Sequence, residues 1–485
     1  MKILHVGWGF QPYRRGGLIE YAEDLMEIQV KNGYQVFYFC TGRFNIFLRK
    51  PTVKKWINKR GYQVFELMNP PIISGLDNGI NKPLYDVTEQ QTEIAFKKVL
   101  DDVQPDIVHF QEFLGIPTTI LNYLKNKNIK SIYTVEDYFP LCPTLKLVKY
   151  DSKICTIKGP ELGKECSKCC MYAPKVNLKY KIDSMFGLFE NRTWAKIISW
   201  LVAVKKLVKH TDLSNSKLHI VNSKAEEFNA RRTLNIKNLY QCDLILAMSE
   251  RVASIFSYYG NFENMKVLNL TLNHIKSIHP NKISIHEKEK ITFGLINAMG
   301  TKLKGKDLML ETFEMIANSA FKDKLKFIVL GDISDNTKAI IKKYPFVEYK
   351  GRYQAQNLNF LLESLKIQVG ILPSVWEEAY GYVGIEFIAK GIPIIGNNIG
   401  GILDYLKDEE TGWLNHSCTA NELFELITNV IDNPQNVEKI NRNLLLNRGK
   451  YVKDMQYHFR EMNKIYEDLI QQNLDKKKPD AFFTG

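Results

Sequence analysis

No apolar run in this chain approaches the ~18 residues needed to span a bilayer. The longest clean stretch, IISWLVAV at 197–204, is far too short. The start of the chain also lacks the apolar core of a secretory leader, because MKILHV carries one charge and then meets Gly7, Gly9 and Pro12. These absences point to a cytoplasmic protein, in which the Asn-x-Ser/Thr triplets at Asn191, Asn269 and Asn415 have no meaning as glycan acceptors. Acids are missing between Gly42 and Gly61, where seven Lys or Arg stand together in GRFNIFLRKPTVKKWINKRG. Helix-turn-helix, zinc-finger and aromatic RNA-binding patterns are absent too. Nucleic acid is therefore set aside as a partner despite a formal charge of +13.

What is present is an ordinary globular balance, 45% apolar and 25% charged, in 485 residues, too many for one hydrophobic core. A second basic segment, residues 171–210, sets eight Lys or Arg against two acids among Tyr, Phe and Trp. Such surfaces suit phospholipid head groups at an anionic membrane surface or a phosphate-bearing substrate, and equally a solvated face of a Lys-rich protein.

Short apolar runs alternate with amphipathic stretches. The runs predict strands at 2–6, 34–40, 106–110, 131–135, 218–223 and 244–249, then at 291–296, 326–331, 347–351, 369–374, 392–397 and 411–415. Helical periods fill the gaps, as in LIEYAEDLMEIQVKNG (18–33), DLMLETFEMIANSA (307–320) and a last helix at 452–473. The polar stretch HIKSIHPNKISIHEKEK (274–290) reads as a linker. The expectation is α/β: two Rossmann-like, doubly wound domains facing a central cleft, at 1–275 and 276–450, with a terminal helix and tail at 451–485. Sites then belong at the carboxyl ends of the strands.

The densest chemistry lies in GILPSVWEEAYGYVGIEFIAKG (370–391). A strand ends at Pro373-Ser374, and a helix opens near Gly381 and stops at Gly391. An open helix start offers unpaired N–H groups and the positive end of a dipole to a phosphate, and glycine allows close approach. Glu378 and Glu386 flank the glycines as two hydroxyl acceptors rather than one catalytic pair; either acid alone would read as a cap or surface charge.

PSVWEEAYGYVGIEFIAKGIPIIGNNIGGILDYL resembles the signature of retaining glycosyltransferases of family 4, group 1 glycosyl transferases with the GT-B fold. Their E-x(7)-E motif, G-x-P strand and GG turn match Glu378, Glu386, Gly391-Ile392-Pro393 and Gly400-Gly401. KILHVGWGFQPYRRGGLIEYAEDL, PDIVHFQEFLGIP and TVEDYFPLCP are similar to the family's amino-terminal strands and loops, and TGWL (411–414) to its closing hairpin. The resemblance implies a last helix that packs back on the first domain. It also implies that Glu378 contacts the donor sugar and Glu386 the ribose. Gly381, Tyr382 and Val383 would face the diphosphate from their backbone, Gly16 and Gly17 would approach it, and Arg352 and Tyr353 would lie beside the base. The family's Arg and Lys clamp falls on NAMGTKLKGKD (297–307), where the Arg position is about Ala298. Lys304 matches the Lys, and Lys302 replaces the missing charge. A second departure sets Glu136 in Thr134-Val135-Glu136-Asp137 where the family commonly has a His near the reacting sugar; with Glu378 it is the catalytic candidate, as an acceptor for a sugar hydroxyl, or else it marks altered or lost activity.

The implied activity is transfer of a hexose-type sugar from a nucleotide diphosphate sugar to a glycan or lipid-linked acceptor, with retention, in polysaccharide biosynthesis, by a peripheral membrane enzyme needing no catalytic metal. The alternative is a non-catalytic sugar-nucleotide or glycan-binding partner of a polysaccharide-assembly complex, which Glu136 and the missing Arg favour. Five of the eight cysteines fall in an insertion at 142–170. Cys142, Cys155, Cys166 and Cys169 predict a structural zinc site, with a plain Cys-rich loop as the other reading. His5 and His109 read as core.

Overall fold

A computed structural model describes residues 1–48, 50–72, 78–175, 180–181, 224–286 and 289–477. The strand expected at 218–223, the run at 197–204 and most of the basic segment 171–210 lie outside these residues. The chain divides into two units: unit 1 holds residues 1–247, 253–268 and 459–485, and unit 2 holds 248–252 and 269–458. Each contains one Rossmann-like sheet.

In unit 1 the strands are β1 (Lys2–Gly7), β2 (Gln35–Thr41), β3 (Thr52–Ile57), β4 (Gln63–Met68), β5 (Ile107–Phe110), β6 (Lys130–Val135), β7 (Leu244–Ala247) and β8 (Met265–Val267). Their order is β3-β4-β2-β1-β5-β6-β7-β8. β5, β6 and β7 are buried along their whole length, the pattern of parallel strands covered on both faces. The antiparallel β3–β4 pair is an element that apolar runs do not announce. Thr52–Ile57 is an edge strand whose Lys54 and Lys55 face solvent, and charged edges of this kind block pairing with other chains.

A polar seam crosses this otherwise apolar core. His5 and His109 sit side by side in the β1–β5 register. Gln111 Nε2 donates to His5 Nδ1 (2.8 Å), and His5 Nε2 donates to Gln29 Oε1 (2.7 Å). His109 bonds the Tyr466 hydroxyl through Nδ1 and Thr134 Oγ1 through Nε2, both at 2.7 Å. Gln29 also donates to Tyr466. Tyr466 lies on the helix Met455–Lys477, so the last helix is stitched to the sheet of unit 1. Burial holds the His5 imidazole neutral, with its pKa lowered to about 4.

Acids remote in sequence neutralise part of the basic segment 42–61. Arg43 pairs with Glu66, Lys55 with Asp102, and Arg60 with Asp24 and Glu27.

Unit 2 holds β9 (Ile291–Ile296), β10 (Leu325–Leu330), β11 (Val347–Gly351), β12 (Val369–Leu372), β13 (Ile394–Asn397) and β14 (Gly412–Asn415), ordered β11-β10-β9-β12-β13-β14. TGWL is not a hairpin: β14 runs parallel to β13 as an edge strand. The supposed linker also starts inside unit 2. Asn273–Ser277 is a 3₁₀ turn, and Ile275 and Ile278 are buried, because its isolated apolar residues pack without a helical period.

Strand order reverses between β1 and β5 in unit 1, and between β9 and β12 in unit 2. In open parallel sheets the loops leaving such a reversal bound the ligand crevice.

Candidate functional site

In unit 2 the loops after β9 and β12 are tied together. The Val375 amide donates to Leu303 O (2.9 Å), and Asn397 donates to the carbonyls of Pro373 and Ser374. Gly305, at φ 86°, caps the helix Lys306–Ala317; a Cβ there would lie 2.1 Å from Pro373 O. This close crossing brings Lys304 against Glu378, whose Oε1 receives the ammonium. Glu378 Oε2 accepts from Ser374 Oγ at 2.9 Å. Burial alone would raise the Glu378 pKa, but the Lys304 charge and the two hydrogen bonds outweigh it and hold the carboxylate below its ordinary range.

The glycines after Glu378 shape the next step. Gly381, at φ 77°, opens the helix Tyr382–Lys390, and among the described residues no side chain caps its amides. The Tyr405 hydroxyl donates to Gly381 O (2.6 Å). A Cβ at Gly401 would stand 2.0 Å from Ala379 O, and the Gly401 amide donates to Glu378 O. Two further anchors come from the short segment 248–252. Ser249 Oγ donates to Ala379 O (2.7 Å), and Arg251 forms a two-pronged ion pair with Glu377. Sequence reasoning missed both, since no local spacing links them to the loop.

Glu386 lies on that helix, buried, and accepts from His274 Nε2 at 2.8 Å. Its Oε2 finds no hydrogen-bond partner among the described residues. His274 was hidden in the stretch read as linker. Tyr353, after β11, accepts from Asn297 Nδ2 (3.2 Å). Arg352 is exposed and pairs with Asp332. Ala298 is buried, whereas Lys302 is exposed.

In unit 1, Gly16 (φ 134°) caps the helix Gly17–Lys31, and a Cβ there would meet nothing within 4 Å. Three acids, Glu112, Glu136 and Asp137, follow the ends of β5 and β6. Glu112 Oε1 accepts the Trp8 amide (2.5 Å), and Asp137 Oδ1 accepts the Phe139 amide (2.7 Å). Among the described residues, Glu112 Oε2, Asp137 Oδ2 and both Glu136 oxygens are buried and find no hydrogen-bond partner. Glu112 drew no attention in the sequence, because it stands alone in its loop.

Burial, then the neighbouring carboxyls, push Glu112 and Glu136 well above the ordinary carboxylate range. Asp137 rises to about 7, chiefly by burial. The opposing groups are Arg14 beside Glu112 and Arg231 near Asp137. A carboxyl with a raised folded pKa contributes stability at low pH that is lost as pH climbs through its folded value. His5 acts in the opposite sense, losing its contribution as pH falls from 6.5 toward 4. The Asp137→Asn variant is therefore expected to melt several degrees above the parent at pH 8, by roughly a few kcal/mol, and level with it near pH 4. A pH-independent difference in thermal melts would contradict this.

The cysteines do not fit the expected zinc site. Among the described residues no three His, Cys, Asp or Glu side chains form a group able to hold a metal. The thiols turn to different partners: Cys142 to Thr144 Oγ1 (3.2 Å), Cys169 to the Tyr150 backbone and Cys170 to the Ile80 backbone. Burial keeps Cys169 and Cys170 protonated, with pKa values near 12.

Residues 276–444 match the family described as Glycosyl transferases group 1. An uncharacterized 42.6 kDa protein in the cps region of Klebsiella pneumoniae is 21% identical over 415 residues, 83% of this chain and 87% of that one. An uncharacterized glycosyltransferase of Methanocaldococcus jannaschii is 22% identical over 245 residues, 48% of this chain and 64% of its own length. Among solved structures, sucrose-phosphate synthase from Thermosynechococcus elongatus superposes with a TM-score of 0.59 at 14% identity, covering 97% of this chain and 100% of that one. Anabaena HepE in complex with UDP and glucose gives 0.55 at 13%, covering 96% and 99%. With two Rossmann-like parallel sheets, the chain has the GT-B fold. Among the described residues no helix is long and apolar enough to cross a membrane.

Proposed function

We propose that the protein is a retaining glycosyltransferase that takes its sugar from a nucleotide diphosphate donor. The observation carrying this reading is the Lys304–Glu378–Ser374 cluster beside the uncapped helix start at Gly381, at the strand reversal of unit 2. A donor diphosphate would draw Lys304 from Glu378, and Lys302 and the amides of Tyr382 and Val383 would share its charge. Glu378, released, would accept a sugar hydroxyl, and Glu386 Oε2 a ribose hydroxyl. Arg352 and Tyr353 would flank the base. On unit 1, Gly16 and Gly17 leave backbone open to a phosphate.

In the proposed step the bond from the sugar's C1 to the phosphate oxygen breaks. The acceptor oxygen bonds C1 on the same face, and its proton passes to the leaving phosphate. This path requires no dedicated base. The structural likeness to Anabaena HepE, a complex with UDP and glucose, makes UDP-sugars the first donors to test.

A glycan or lipid-linked acceptor near an anionic membrane is the finer reading. Phe47 and Ile57 are 81% and 75% exposed among Lys50, Lys54 and Lys59, a surface suited to lipid head groups. The decisive test is donor hydrolysis without acceptor across a panel of nucleotide sugars. Slow release of nucleoside diphosphate is expected; saturable donor binding without turnover would instead favour a non-catalytic partner.

A further inference from the structure

The two basic segments, 42–61 and 171–210, stand far apart in the sequence, and the donor-side cluster uses neither. In unit 1 they meet at one cavity of about 370 Å³, to which the first contributes Pro51 and the second Pro174, Lys175 and Lys181. The rest of its wall comes from residues 69–72, directly after β4, and from residues 80–82, ahead of the helix Gln90–Val103. The cavity thus lies at the carboxyl end of a strand, where α/β sheets hold their ligands. Its volume falls within the roughly 300–1,000 Å³ of small-molecule sites.

The charge around this cavity is of one sign. Lys82, Lys175 and Lys181 line it. Among the described residues the one acid in its wall is Glu89, and that carboxylate is engaged as a helix cap by the Gln91 and Thr92 amides and the Thr92 hydroxyl. Lys82 Nζ lies 4.0 Å from the centre of the Tyr85 ring and donates to its hydroxyl at 2.8 Å. A fourth cation, Lys224, donates to Asn81 Oδ1 (2.8 Å) in the same wall. Burial lowers the Lys224 pKa, Glu227 opposes this, and Lys175 and Lys82 lower it further. Like charges therefore crowd one enclosed volume, and an anion there would relieve them. Among the described residues no Arg lines the cavity, so the two-pronged fork that suits a carboxylate is missing, whereas lysines serve a phosphate as point charges. The remaining wall is stiff and largely apolar, with four prolines and Tyr85. Prolines bring no N–H to an anion, so the lysines must hold it, and the C–H face of a sugar ring can pack on the apolar side.

We infer that this cavity binds a sugar phosphate, with the phosphate on Lys82, Lys175 and Lys181 and the sugar ring against Tyr85 and the prolines, and that the acceptor is phosphorylated. The word acceptor rests on the glycosyltransferase reading, but the sugar-phosphate site stands on unit 1 alone.

Calorimetry on the full chain at pH 7.5, in a buffer free of phosphate, supplies the test. The probes are glucose 6-phosphate, glucose 1-phosphate, N-acetylglucosamine 1-phosphate, glucose, inorganic phosphate and phosphatidylglycerol vesicles. At least one of the sugar phosphates is expected to bind, with glucose and inorganic phosphate weaker by about tenfold or more. Lys82 and Lys175 are exposed, so Lys82→Gln with Lys175→Gln should keep its melting temperature within about 2 °C. That variant should lose about tenfold or more in sugar-phosphate affinity. Silence from all three sugar phosphates, inorganic phosphate binding as tightly as they do, or undiminished binding in the double variant would each overturn the inference. Binding confined to the vesicles would overturn it too, and make these lysines a membrane contact. Donor hydrolysis keeps the two readings apart. Hydrolysis without sugar-phosphate binding sinks only the cavity's assignment, whereas sugar-phosphate binding without hydrolysis sinks the transferase and leaves the site.

Discussion

Glu378→Gln is expected to cut sugar transfer about 10³-fold, or ~4 kcal/mol of transition-state stabilisation, with the fold of unit 2 retained. The amide keeps the shape and the Ser374 contact but loses the charge that positions Lys304 and receives a sugar hydroxyl. Lys304 would then be free before the donor arrives, so binding of a bare nucleoside diphosphate should hold steady or tighten while turnover collapses. That split distinguishes the proposed role from a structural one, which would weaken both together. Steady-state rates with donor and acceptor, beside calorimetric binding of nucleoside diphosphate, supply the measurement. Full activity in the variant would contradict the assignment.

Arg231→Ala should destabilise unit 1 by about 3–5 kcal/mol, lowering its melting temperature by roughly 10 °C. Arg231 and Asp86 form an ion pair whose side chains are each 1% exposed. The guanidinium donates to Asp86 Oδ2 (2.7 Å) and to Phe139 O (2.5 Å), which fixes the loop after β6. Truncation leaves Asp86 buried without its cation, and burial already lifts its pKa above the ordinary value. Removing the charge from both partners, in Asp86→Asn with Arg231→Met, should recover a large share of the loss. Thermal melts of the two variants decide the matter. An unchanged melt in Arg231→Ala would mean the pair contributes little.

The two predictions differ in how far the sequence revealed their residues. Glu378 stood out because glycines and an apolar strand fixed its context within twenty residues. Most of the parallel strands were visible for the same reason: runs such as ITFGLI are buried on both faces and bounded by polar or glycine residues. β3 was not visible, since its exposed lysines erase the apolar run. The departures at Ala298 and Glu136 were legible only as substitutions. Their surroundings, a buried alanine and a carboxyl beside Glu112, depend on packing between distant segments. Sequence places Lys304 as a phosphate ligand, yet its partner in the structure is Glu378, a pairing across 74 positions. Ser249, Arg251 and His274 escaped notice because tertiary contacts alone join them to the donor-side loop. The zinc expectation failed at the same level, since spacing cannot show that the Cys142 thiol turns to Thr144 and the Cys169 thiol to the Tyr150 backbone.

The seam joining Tyr466 to His109 and Gln29 bears on the order in which the chain can be made. Unit 1 takes in residues 459–485 as well as its strands, all of which precede residue 268, so the packing on its sheet cannot be completed while the ribosome is still adding unit 2. Every strand of unit 2 emerges before Tyr466 does. A nascent unit 1 therefore waits with His109 and Gln29 lacking the Tyr466 hydroxyl, and a helix made after unit 2 completes the packing of the first half.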